Sequence, residues 1–111
     1  MTTARFVHDG NTIDYTPGAD VTAGDVIVQG DLVGIAKLDI KANSLGALAV
    51  DGVFDVPKAA GSAINVGTKV YWDATNKLGT TSDGGGANKL LGKAILTAAS
   101  AATTVRVRLT Q

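Results

Sequence analysis

The chain has 111 residues, ten basic side chains against ten acidic ones, and no cysteine; that allows one small domain and excludes disulfide or thiol chemistry. Zero formal charge speaks against a nucleic-acid binder, whose affinity rests on a basic excess or a basic stripe. No apolar run approaches the ~18 residues of a membrane span, and the polar start "MTTARFVHDG" lacks a signal-peptide core, so a cytosolic beginning is expected.

The composition points to an all-β domain spanning 1–111. Val, Thr, Ala and Gly dominate, and all ten acids are Asp. Val and Thr suit pleated strands, while Asp and Gly suit turns. Glutamate, a helix former depleted in strands, is absent.

In chain order, "RFVHDGNTIDYT" (5–16) sets an Asp9-Gly10 turn signal between two short alternating runs, which predicts a hairpin or an extended N-terminal arm with a bend. Pro17-Gly18 breaks the chain and opens the core, 17–111. "DVIVQGDLVGIAKLDIKA" (25–42) is strand-like throughout, with a turn at Gly30-Asp31 and a bulge expected at Gly34. "GALAVDGVFDVPK" (46–58) predicts two short strands around Asp51-Gly52, and 58–64 is one helical turn or a loop. "VGTKVYWDATNKLGTT" (66–81) predicts a strand, a turn at Asp73–Asn76 and a return strand. "SDGGGAN" is a loop tip, followed by the last two strands in "KLLGKAIL" and "TTVRVRLT".

An internal echo runs through these segments. "VTAGDVIV" (21–28) resembles "INVGTKVYW" (64–72), and "LVGIAKL" (32–38) resembles "LLGKAIL" (90–96). Two similar modules would suit a small closed or partly closed barrel, with a sandwich as the alternative. The echo also settles the one nucleotide-like motif. "GGGANKLLGKAI" (84–95) invites a phosphate-loop reading, but Ala87 stands where that pattern needs glycine, and Ala94 where it needs a magnesium-binding hydroxyl. Gly92 instead occupies the place of Gly34 in the other copy, in mid-strand, where a missing side chain permits a bulge or a close backbone approach.

Candidate chemistry is sparse. His8 is the one histidine, and its neighbour Asp9 points to the opposite face of an extended chain. Asp51 with Asp55, and Asp20 with Asp25, sit beside turn signals and match no calcium-loop pattern, so turn formation is the expected role of the aspartates. No catalytic, metal or cofactor site is expected. Tyr71 and Trp72 alternate in direction, and Trp72 is expected as a core or subunit-interface anchor.

Together, "ARFVHDGNTIDYTPGADVTAGDVIVQGDLVGIAKLDI", "GVFDVPK", "GTKVYWD", "LLGKAI" and "VRVRL" resemble a family of small tailed-phage capsid cement, or decoration, proteins, long labelled RecA/RadA-like phage recombinases. The likeness runs from Ala4 to Leu109 with the segments in order. It implies a β-rich domain that docks outside an icosahedral shell, commonly as a homotrimer, with the phage major capsid protein as partner and no nucleic acid or membrane. Its location would be the virion exterior, after assembly in the host cytoplasm. Under that resemblance Arg5, Phe6, Val7, His8, Ile13 and Tyr15 are candidate capsid contacts, by strand addition or by lying across a coat subunit. The alternative for the N-terminal segment, 1–16, is the first hairpin of the core. The competing function is a nucleic-acid or recombination accessory that would use Tyr71, Trp72, Arg106 and Arg108.

Overall fold

The computed structural model describes residues 4–7 and 10–110. Among these residues nine short strands follow in chain order: β1 (Thr12–Tyr15), β2 (Val26–Gln29), β3 (Leu32–Ala36), β4 (Gly46–Ala49), β5 (Val53–Pro57), β6 (Lys69–Asp73), β7 (Leu78–Thr80), β8 (Lys89–Ala94) and β9 (Thr104–Leu109). The helical element among the described residues is one 3-10 turn, Gly84–Gly86. The strands form two antiparallel sheets, ordered β1-β4-β3-β2 and β5-β9-β8-β6-β7.

The echo read from the sequence is a structural duplication. In the first sheet Ile27 lies opposite Gly34, and in the second Val70 lies opposite Gly92. Ile35 and Ala36 pair with Ala49 and Leu48, as Lys93 and Ala94 pair with Arg108 and Val107. The turn bonds repeat as well. The Gly24 N–H donates to the Ala36 carbonyl and Gly67 to Ala94, while Val21 bridges Ile40 as Ile64 bridges Ala98. Even a side-chain contact recurs, with the Ala23 N–H on Asp39 and the Val66 N–H on Thr97. Thus β1, β4, β3 and β2 correspond to β5, β9, β8 and β6. Strand β7 is an addition to the second module, inserted where the first makes a two-residue turn at Gly30-Asp31.

Two details differ from the expectations. Gly34 forms no bulge; its pairing is regular, and the glycine lets Leu48 and the Ala49 carbonyl approach. The register shift lies in the second module, between Val70 and Tyr71 opposite β8, where Leu91 is the extra residue beside Gly92. The first alternating run carries no strand over 4–7, so β1 has β4 as its partner. Asp51-Gly52 does not join a hairpin, because β4 and β5 belong to different sheets. Residues 58–64 are a loop.

The two modules stack front to back. Alternation along each strand gives a module two faces. The front of the second module, with Val56, Val70, Trp72, Val105 and Val107, forms one core with Val33 and Ile35 from the back of β3. The front of the first module forms a smaller cluster of Val21, Ala36, Ile40 and Leu48, flanked by Ile13, Tyr15 and Ile27. The second sheet also curls on itself, and Lys58, just past β5, bridges Gly79 of β7. The result is a partly closed barrel capped by an open four-stranded sheet.

The β6–β7 turn rests on Asp73, whose carboxylate accepts from the Thr75 and Asn76 N–H groups at 3.0 and 3.1 Å and from Asn76 Nδ2 at 2.9 Å. These bonds, the Asn76 N–H first, hold its carboxyl below the ordinary 3.8. A depressed folded-state pKa contributes stability above the unfolded value and loses it as pH falls through the folded one. Asp73→Ala is therefore expected to melt a few degrees lower than the parent at neutral pH. The gap between the two melting curves should close as the pH is taken below 3.8.

Candidate functional site

The candidate contact residues divide into two groups. Arg5, Phe6 and Val7 lie in an exposed stretch, with Phe6 79 % and Val7 75 % accessible. Ile13 and Tyr15 belong to edge strand β1 and pack half-buried against the first module's own cluster. Residues 12–15 are thus members of the first sheet through β4 and form no hairpin with 5–7, which stand outside it. His8 lies outside the described residues.

Tyr71 and Trp72 separate as alternation requires. Trp72 is 7 % exposed within the main core, while Tyr71 lies half-buried on the opposite face near Asp31, Asp83 and Lys89. A base-stacking platform needs both rings on one accessible surface, and Trp72 is not on it. Arg106 is likewise engaged: its guanidinium donates to both Asp55 oxygens, at 2.9 and 3.2 Å, across the β5–β9 pair. The hydrogen bond from Arg106 holds the Asp55 carboxyl below its usual range, and Asp55 raises the pKa of Arg106 in return. Lys89 lies 2.8 Å from Asp31 and lowers its pKa through the same kind of bond.

Several aspartates serve as backbone acceptors, as their sequence positions suggest. Asp20 accepts from Ala42, Asp25 from Thr22, Asp39 from Ala23, Asp51 from Gly52, and Asp83 from Gly85. Asp83 caps the 3-10 turn of the glycine cluster, so the residues that imitate a phosphate loop satisfy one another.

Sequence reasoning missed two features. Lys58 is 4 % exposed, and its ammonium donates to the carbonyls of Ala59 and Ala102 at 2.9 and 2.8 Å. A lysine after Val56-Pro57 looks like a solvated strand end, and nothing local announces its burial. The second is an apolar hollow of about 450 Å³ on the first module, bordered by the exposed Leu38 and Leu45, with Ile40 and Gly46 in its wall. The leucines flanking "DIKANS" were a readable signal, since exposed leucines around one hollow form a patch rather than scattered singletons. A further crevice, about 630 Å³, runs beside β2 and is walled by Val26, Val28, Ile35, Phe54 and Trp72.

These surfaces are largely apolar and open, which suits docking against another protein. Comparison with known proteins gives one result that bears on this. The family model described as phage cement protein matches residues 7–109. Neither the curated proteins nor the solved structures yield a match. With the match covering nearly the whole duplicated β-fold, the chain belongs to the phage cement protein family, a family of structural phage proteins.

Proposed function

We propose that this protein binds the outside of the assembled phage capsid as a homotrimer, contacts the major capsid protein and stabilises the shell. The family match over residues 7–109 carries this reading. The physics agrees with it. A trimer on a three-fold axis repeats one contact set three times, so individually weak contacts multiply through effective concentration. A ligand that binds only the assembled lattice stabilises that lattice by mass action. The protein assembles in the host cytoplasm and ends on the virion exterior.

Arg5, Phe6, Val7 and His8 form the leading contact segment in this proposal, with Ile13 and Tyr15 anchoring it to the fold. Because β1 is part of the first sheet, the informative truncation removes residues 2–9 and leaves Thr12–Tyr15 in place. The truncated chain is expected to keep its β-sheet circular dichroism and its cooperative melt. Its co-sedimentation with undecorated capsids should fall at least tenfold, about 1.4 kcal/mol per capsid site. Undiminished sedimentation would remove the segment from the interface, and failure of the intact chain to sediment would overturn the function itself.

A further inference from the structure

The duplication exposes an asymmetry between the modules. In the second, β6 carries β7 along its outer edge, pairing Tyr71 with Thr80, Trp72 with Gly79 and Asp73 with Leu78. Its counterpart β2 pairs, among the described residues, with β3 alone and ends the first sheet. The burial record follows the difference. Val56 and Val70, beside Gly79 of β7, are 2 % and 0 % exposed, whereas their counterparts Tyr15 and Ile27 are only half-buried. The crevice walled by Val26, Val28, Phe54 and Trp72 opens along this bare edge. An open strand edge above an apolar crevice is a template for one more strand.

The geometry points to the N-terminal segment of a second copy as that strand, with Ala4–Val7 running antiparallel to β2 and Phe6 seated in the crevice. The inference rests on the proposed trimer and gives Phe6 to the contact between copies, leaving Arg5 and Val7, on the other side of the strand, as the segment's capsid contacts. Three observations favour this occupant. Ala4–Val7 is exposed and carries no strand, and its four residues match the four of β2. Asp25, at the start of the β2 edge, is in no ion pair among the described residues, and the segment brings Arg5 and no acid. In extended backbone Phe6 points opposite to Arg5 and Val7, so one aromatic enters the crevice while its neighbours face Ile27 and solvent. Each copy then offers one strand and one open edge, a head-to-tail contact that closes into a ring when the rotation suits.

The protein has no cysteine, so cysteine pairs report directly on this contact. Full-length Phe6→Cys is mixed with full-length Val28→Cys, and separately with Val26→Cys, then oxidised mildly at tens of micromolar without capsids. Phe6 and Val28 are both solvent-accessible, 79 % and 37 %, so the variants should fold. The expected result is a covalent heterodimer in one of the two mixtures, with Phe6→Asp lowering the light-scattering mass of the otherwise unaltered protein to that of a monomer. No heterodimer in either mixture overturns the inference. So does a Phe6→Cys/Val28→Cys double variant that cross-links only within its own chain, since the segment then closes its own module. Capsid co-sedimentation of the same variants separates the readings: binding retained without cross-linking sinks this contact alone.

Discussion

Replacing Gly92 with alanine should destabilise the protein by about 3 kcal/mol, at the upper end of the usual overpacking cost. A Cβ built there would lie 2.0 Å from the Arg108 carbonyl oxygen and 2.9 Å from Val107 Cγ1. The obstacle is backbone of the adjacent strand β9, which cannot rotate away as a side-chain end can. The strands must separate, at a point where Leu91 is already bulged into the main core. Urea unfolding, monitored by Trp72 fluorescence, measures the loss. Gly34→Ala is the internal control, because the counterpart glycine meets Leu48 Cβ at 2.8 Å, Leu48 Cδ1 at 3.2 Å and the Ala49 carbonyl at 3.3 Å. Its cost should be clearly smaller. Equal costs at the two positions would show that the close approach at Gly92 is relieved by sliding the strands.

Lys58→Met is expected to remove roughly 2–5 kcal/mol, since two acceptors of a charged donor lose it at once. Methionine keeps most of the stem and its packing, so the change isolates the ammonium. That group ties the Ala59 carbonyl, at the start of the β5–β6 connection, to the Ala102 carbonyl in the β8–β9 connection. Backbone bonds from Lys58 to Thr103 and from Gly61 to Ser100 join the same two loops. Both loops should loosen together, with faster amide exchange at Gly61 and Ala102 and a melting temperature lower by about 10 °C or more. A melt within two degrees of the parent would mean that water satisfies both carbonyls and that the lysine is dispensable.

Much of the fold was legible because the chain writes its turns plainly. Gly30-Asp31 and Asp73–Asn76 each lie between runs of alternating Val, Ile and Tyr, and each forms the hairpin turn expected there. The glycine pair Gly34 and Gly92 marked the duplication, since a side-chain-free position in mid-strand is a rare enough constraint to identify equivalent strands. Sheet membership was not legible. Asp51-Gly52 has the form of a hairpin turn, yet it carries the chain from one sheet to the other. That choice is made by long-range pairing of β4 with β3 and of β5 with β9, which local patterning does not encode. The candidate contact segment was readable as an exposed apolar run in Phe6-Val7. Ile13 and Tyr15 belong with β1, because strand alternation inside an edge looks the same whether the partner is the chain itself or a neighbour.

The front-to-back stacking leaves the molecule with two unlike ends. One presents the half-covered apolar side of the first module, with Tyr15 and Ile27; the other presents the outer side of the second, with Lys69, Lys93, Arg106 and Arg108. A doubled unit with its halves related by a two-fold axis would look alike from above and below and would have no preferred way up. This one has a heading, like an arrow, so its two ends offer any partner unlike surfaces, one apolar and one charged.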